Sequence, residues 1–186
     1  MLYMTVIVGG AIIIALANTI FSFSFELLAA NLLAVGIGVV AIIAQDGITA
    51  LIIRRLTPRS WYLPHKRFFN VSSRERKFYT KIKIKKWKDS VPELGLFTGF
   101  SKSEIKEAED AEYLGRFLVE SNYGVIIHVA NAVFGFVIAF IPICSAPSIW
   151  IPIFAVNFVL SILPVAILRY TSHTLSKLYQ RSKKHL

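Results

Sequence analysis

Four long apolar runs decide most of what this chain can become. Residues 3–20 are apolar apart from Thr5, Asn18 and Thr19, and about twenty such residues suffice to cross a bilayer as a helix. Residues 27–53 form a second run, long enough to cross with tilt, that carries Asn31, Gln45 and Asp46 and is closed by Arg54 and Arg55. A third run covers residues 120–141 and a fourth residues 149–168, with Pro142, Pro147 and Pro152 marking the turn between them. A signal peptide cleaved near Ala15-Leu16-Ala17 is the competing reading of the first run, and the lack of any Lys or Arg before it speaks against that reading. The expected fold is all-α: an integral membrane protein with four transmembrane helices and a basic amphipathic cytoplasmic loop over residues 54–119, forming a single membrane domain over residues 1–186.

Charge agrees with that outline. Only 17% of the residues are charged and 55% are apolar, against a charged share of about 25% in soluble domains. The formal net charge of +10 would suit nucleic acid, but a nucleic-acid-binding domain would not carry four oily segments, so no nucleic acid is expected. Membrane lipid with anionic headgroups, or an anionic substrate, is the expected partner. Sixteen of the 21 Lys/Arg lie between the second and third runs and the other five in a basic tail, 169–186. The positive-inside rule therefore places loop and tail in the cytoplasm, and four crossings bring the N-terminus there too. Cys144 is the single cysteine; no zinc-type Cys/His spacing is present, and neither a metal nor a bound cofactor is expected.

Within the loop, Trp61, Tyr62, Phe68, Phe69, Phe78, Tyr79 and Trp87 interrupt the cations, and rings beside lysines suit the headgroup layer. Lys81, Lys83 and Lys85 alternate with Ile82 and Ile84, a period of two that predicts an extended segment. Ser101 with Glu104 forms a capping box, and Ile105, Ala108, Leu114, Phe117 and Leu118 follow at helical spacing, so a helix is expected to start there and feed the third run. The basic stretch itself has three readings: an anchor on anionic lipid, a dock for an acidic acyl-carrier protein, or a holder of coenzyme A phosphates.

Polar groups inside apolar runs are site candidates. His128 lies eight residues after Glu120, about 12 Å further along a helix. Gly124 is one turn before it and Asn131 one turn after, giving a small and polar strip on one face. Asp46 lies eight residues before Arg54 and Ser161 eight before Arg169, which suggests a shared polar layer at one depth. Asp46 or Glu120 could orient and charge the His128 imidazole as a carboxylate does in acyl-transfer sites. The plainer alternatives are a structural histidine bonded to a neighbouring helix, and an Asp46 that is protonated or paired with other helix polar groups. No Gly-rich phosphate loop and no Gly-x-Ser-x-Gly elbow occurs, so an acyl-serine intermediate is unsupported.

Ile84-Lys85-Lys86-Trp87-Lys88-Asp89, then Pro92-Glu93, Phe100-Ser101-Lys102, Glu120 with His128, and Pro164 with Arg169-Tyr170 follow one another in an order that resembles the glycosyl-4,4'-diaponeurosporenoate acyltransferases over residues 78–175. The chain departs from that pattern at Tyr123, Val125, Ser161, Leu168 and Thr171-Ser172, losing side chains that could read a sugar or a carboxylate. The resemblance implies a multi-pass O-acyltransferase of the bacterial cell membrane. It would move a fatty acyl group from an acyl thioester, acyl-CoA or acyl-carrier protein as co-substrate, to a sugar hydroxyl of a membrane glycolipid or carotenoid glycoside. On this hypothesis His128 is the general base, assisted by Glu120 or by the Asp46 of the shared polar layer, with Trp87, Lys88, Lys85, Lys86, Asn131, Arg169 and Tyr170 binding substrate. A non-enzymatic lipid-binding or scaffold protein of the inner membrane is the rival reading, and the absence of an internal repeat disfavours a small transporter.

Overall fold

The computed structural model describes residues 2–64, 66–91 and 109–184. Every regular element among them is helical: α1 (Leu2–Phe21), α2 (Leu28–Leu56), α3 (Ser73–Lys81), α4 (Ile84–Trp87), α5 (Ala111–Phe134) and α6 (Pro147–Ser182), joined by short 3₁₀ turns. Three helical stretches, Phe25–Leu56, Ala111–Phe140 and Pro147–Ser182, are long and apolar enough to cross a membrane, while the apolar stretch Thr5–Phe21 of α1 is shorter. Large apolar side chains such as Ile13, Val40, Leu51 and Phe140 stand exposed on these helices, the arrangement expected where lipid rather than water is the solvent.

The chain forms two compact units, Met1–Leu51 with Val129–Ile162, and Ile52–His128 with Leu163–Leu186. The core of the first is Ala15, Ala34, Val35, Ile42, Ile138, Ile149 and Ile153. Small residues and side-chain amides bring its helices together, as is usual where burial alone supplies little drive between membrane helices. A Cβ on Gly38 would meet Ile153 Cδ1 at 2.8 Å. Asn31 Nδ2 donates to Thr19 Oγ1 at 3.0 Å, closing the α1–α2 hairpin. Pro152 has no N–H to give the Ser148 carbonyl one turn earlier, and Asn18 Nδ2 donates to that carbonyl instead, at 2.9 Å. The residue expected to mark a turn thus sits inside α6.

In the second unit, Leu114, Phe117 and Leu118 of α5 bury against Leu175 of α6. That contact lies outside the third and fourth apolar runs. As expected, a helix feeds the third run from upstream of Glu120: α5 is described from Ala111, where Asp110 Oδ1 accepts the Glu112 N–H at 2.7 Å. The supposed basic tail continues α6 to Ser182, with Leu175 wholly buried. The Ser101/Glu104 capping box, with Pro92-Glu93 and Phe100-Ser101-Lys102, lies outside the described residues.

The extended reading of Lys81 to Lys88 is also corrected. Ser72 Oγ caps α3 by accepting the Glu75 N–H at 3.1 Å, and the helix runs through Lys81. Lys83 then adopts φ 53° and ψ 41°, the left-handed region, and α4 follows at once. Burial explains the turn: Ile84 joins Tyr79 and Ile167 in a core against which Ile82 and Trp87 pack. Ile82 and Ile84 thus meet one core, and a left-handed residue between two helical turns achieves this without a strand.

Candidate functional site

In the second unit, α5 carries Glu120 and His128. A Cβ on Gly124 would meet Leu168 Cδ1 at 2.9 Å, so α5 and α6 approach closely one turn before the half-buried His128. Glu120 Oε2 accepts from Arg54 Nη2 at 2.8 Å, and the same guanidinium lies 5.4 Å from the Tyr123 ring centroid. Tyr62 stacks on Tyr123 at 3.7 Å and 18°, Asn122 Nδ2 donates to the Tyr62 carbonyl at 2.8 Å, and the Tyr62 and Thr57 hydroxyls are 2.7 Å apart. Glu120 is therefore engaged by the end of α2. Eight residues of α5, about 12 Å of rise, separate it from His128, too far for a direct hydrogen bond.

Arg169 in α6 grips Glu75 with both arms of its fork, Nε to Oε1 at 2.5 Å and Nη2 to Oε2 at 2.8 Å. It also donates to the carbonyls of Phe68 at 3.3 Å and Asn70 at 3.4 Å. The Tyr79 hydroxyl donates to Glu75 Oε1 at 2.6 Å, and the Tyr79 ring meets Tyr170 edge-on at 6.2 Å. Hydrogen bonding from Arg169 holds the Glu75 carboxyl below the usual carboxylate range, while burial and then the Glu75 contact push Tyr79 up. Arg169, expected to bind substrate, here ties α6 to α3, and Tyr170 packs beside that tie.

Of the lysine-rich stretch, Lys85 and Lys86 are exposed on α4. Lys88 Nζ lies 2.8 Å from Asp89 Oδ1. Trp87 Nε1 donates to the Ile82 carbonyl at 3.0 Å, so its indole N–H holds the left-handed turn closed. Glu75 and His173 carry no sequence signal that singles them out, and Tyr79 was legible only as one aromatic ring among several. His173 follows Arg169 by one turn of α6, and its Nε2 is buried with no hydrogen-bond partner among the described residues.

In the first unit, Asp46 and Asn157 are the two polar side chains lining a cavity among α1, α2 and α6. Asp46 Oδ1 is buried with no hydrogen-bond partner among the described residues. Asn157 Nδ2 donates to the Asn131 carbonyl at 3.2 Å, Asn131 is 4% exposed, and its Oδ1 too has no described partner. A Cβ on Gly135 would lie 2.6 Å from Asn157 Nδ2, so only glycine leaves room for this amide pair. Asp46 belongs to this unit and His128 to the other. Among the described residues no group of three or more His, Cys, Asp or Glu could hold a metal ion.

The family model for glycosyl-4,4'-diaponeurosporenoate acyltransferase matches residues 58–181. The matched stretch contains Glu75, Trp87, Glu120, His128 and Arg169, and it leaves out α1 and Asp46. No curated protein and no solved structure shows a significant match. With about two thirds of its length matched, the chain belongs to the glycosyl-4,4'-diaponeurosporenoate acyltransferase family.

Proposed function

We propose that this protein is an integral-membrane O-acyltransferase that moves a fatty acyl group from an acyl thioester to a sugar hydroxyl of a membrane glycolipid or carotenoid glycoside. The observation that carries the reading is the family match over residues 58–181. Three helices able to cross a membrane support it, since both the acyl chain and the acceptor are then delivered from the bilayer. In this reading α1 supplies a fourth crossing, and the cation-rich segments and both termini face the cytoplasm, where thioester donors are found.

His128 acts as general base. Its imidazole takes the proton of the acceptor hydroxyl as the sugar oxygen attacks the thioester carbonyl. A carbon–oxygen bond forms, the carbon–sulfur bond breaks, and the imidazolium returns the proton to the leaving thiolate. Base catalysis of this kind contributes about 10² to 10⁴ in rate, and holding two membrane-bound reactants together supplies more. Exposed Lys85 and Lys86 suit the phosphates of coenzyme A or the acidic face of a carrier protein. Glu120 and Arg169, each engaged in an ion pair, position α5 and α6 around this chemistry.

The test uses purified protein in lipid vesicles, incubated with radiolabelled palmitoyl-CoA or palmitoyl carrier protein and a bacterial glycolipid extract. A new labelled lipid, released by mild base as an ester, is expected from the wild type and lost in His128→Ala while that variant still inserts. Wild-type turnover by His128→Ala would remove the base assignment, and no product with either donor would end the enzymatic reading.

A further inference from the structure

We propose that residues 59–78 form a docking surface for the anionic phospholipid headgroups of the bilayer that the protein spans, with Trp61, Phe68 and Phe78 entering the headgroup layer between the cations. This surface is separate from the proposed acyl transfer and does not depend on it.

Three pairs of adjacent aromatic residues punctuate the segment: Trp61-Tyr62, Phe68-Phe69 and Phe78-Tyr79. In each pair the second ring turns inward. Tyr62 is buried and stacks on Tyr123 at 3.7 Å, half-buried Phe69 lies 6.0 Å from Tyr62, and Tyr79 is buried and meets Tyr170 at 6.2 Å. The first ring of each pair stays outside: Trp61, Phe68 and Phe78 are 59%, 67% and 56% exposed. One ring of each doublet thus fastens the segment to the second unit, and its neighbour is left bare.

Beside these rings stand Arg59, Lys66, Arg67, Arg74, Arg76 and Lys77, all exposed and none in an ion pair among the described residues. The one acid of the segment, Glu75, is taken by Arg169. Unpaired cations interleaved with bare rings match the boundary between lipid headgroups and acyl chains, which supplies an anion and an apolar layer together. Position agrees with this occupant. The candidate membrane span that contains α2 ends at Leu56, and the five residues from there to Trp61 reach at most about 18 Å. Arg169 of α6, a second candidate span, holds the Phe68 and Asn70 carbonyls.

The neighbouring lysines are presented differently. Ile82, Ile84 and Trp87 pack into a core, which leaves Lys81, Lys83, Lys85 and Lys86 exposed with no bare ring among them. Phosphates of a soluble thioester donor need cations alone, so they suit α4. Three exposed rings between cations need an apolar partner beside the anion, and the bilayer provides it.

The experiment measures lipid selectivity of the full-length protein in phosphatidylcholine vesicles by electron spin resonance, with spin-labelled phosphatidylglycerol or phosphatidylcholine at trace level. Protein-associated lipid should favour phosphatidylglycerol about twofold at low salt, and the preference should shrink in about 1 M salt. The triple variant Arg59→Gln, Lys66→Gln, Arg67→Gln should bring it close to parity. The triple variant Lys81→Gln, Lys85→Gln, Lys86→Gln removes the same charge and should keep most of it. Lipids brominated near the glycerol end of the acyl chain should quench the emission that Trp61→Phe removes more strongly than aqueous acrylamide does. Equal loss of selectivity in the two triple variants, or Trp61 emission quenched by acrylamide and untouched by brominated lipid, would overturn the proposal. So would weaker binding of palmitoyl-CoA or an acidic carrier protein in the Arg59 triple variant at unchanged lipid selectivity, which would give these cations to the thioester donor.

Discussion

Glu75→Gln is the most informative single change outside the proposed chemistry. The Arg169 and Glu75 side chains are 17% and 22% exposed, so the pair is neither buried nor free in solvent. Breaking a buried pair by losing one partner costs about 3–5 kcal/mol, and a fully exposed pair contributes about 0.2–1 kcal/mol. The amide introduced by Glu75→Gln would keep an oxygen for Tyr79, so only the charge and the two-armed match to Arg169 are lost, and about 2 kcal/mol is expected after allowing for solvent screening. Arg169→Lys keeps the charge but cannot span both carboxylate oxygens, so most of the same loss should appear. The measurement is reversible unfolding in mixed micelles, followed by tryptophan fluorescence, across a double-mutant cycle of Glu75→Gln and Arg169→Met. A coupling energy near 1.5–2 kcal/mol is expected. Coupling below about 0.5 kcal/mol, with Arg169→Lys raising the KM for the thioester at unchanged stability, would refute the argument and return Arg169 to substrate binding.

The Glu75 pair also sets a pH response. Because its folded carboxyl titrates lower than the ordinary 4.5, its stabilisation is fully present above that value and is lost as pH falls through the lower folded one; unfolding free energy measured against pH should show this decline in the wild type and not in Glu75→Gln. Lys83→Gly removes the side-chain penalty of the left-handed residue between α3 and α4 and should stabilise by about 0.5–1 kcal/mol, whereas Lys83→Val should destabilise by at least that much in the same assay. Gly135→Ala drives a methyl into Asn157 Nδ2 and should cost about 1–3 kcal/mol. Infrared amide-side-chain bands with labelled asparagine would report the broken Asn157–Asn131 contact.

Three of the four apolar runs were legible because a bilayer-length helix announces itself by length and hydropathy alone. Their ends were less so, since a hydropathy average stops where charges begin. Arg169 ended the fourth run on that criterion, yet Leu168, Ser172 and Leu175 recur at helical spacing and are all buried, which is why α6 continues. The helical spacing of Leu114, Phe117 and Leu118 was read correctly, and those residues do form the buried side of α5. Alternation between Lys81 and Lys85 misread the backbone, because period two is also met by one left-handed residue between helical turns. Nothing in a single sequence joins Arg169 to Glu75, 94 positions apart, and a cavity requiring three helices to converge leaves no local signature at all.

The treatment of acids separates scaffold from site. All 21 Lys/Arg lie outside the first unit, and in the second unit the two acids that meet the long helices are each given an arginine, Glu120 by Arg54 at 2.8 Å and Glu75 by Arg169 at 2.5 Å. Among the described residues, these two carboxylates that tie separate helices together each have a guanidinium in hydrogen-bonding distance. Asp46 breaks that habit. It stands in a unit without cations, with one oxygen buried and unpartnered among the described residues, in the wall of a cavity. A carboxyl without a partner in apolar surroundings is replaceable by leucine at little or no loss of stability, so Asp46→Leu should fold at least as well as the wild type in the same unfolding assay, and a clear loss of stability would refute this reading of Asp46.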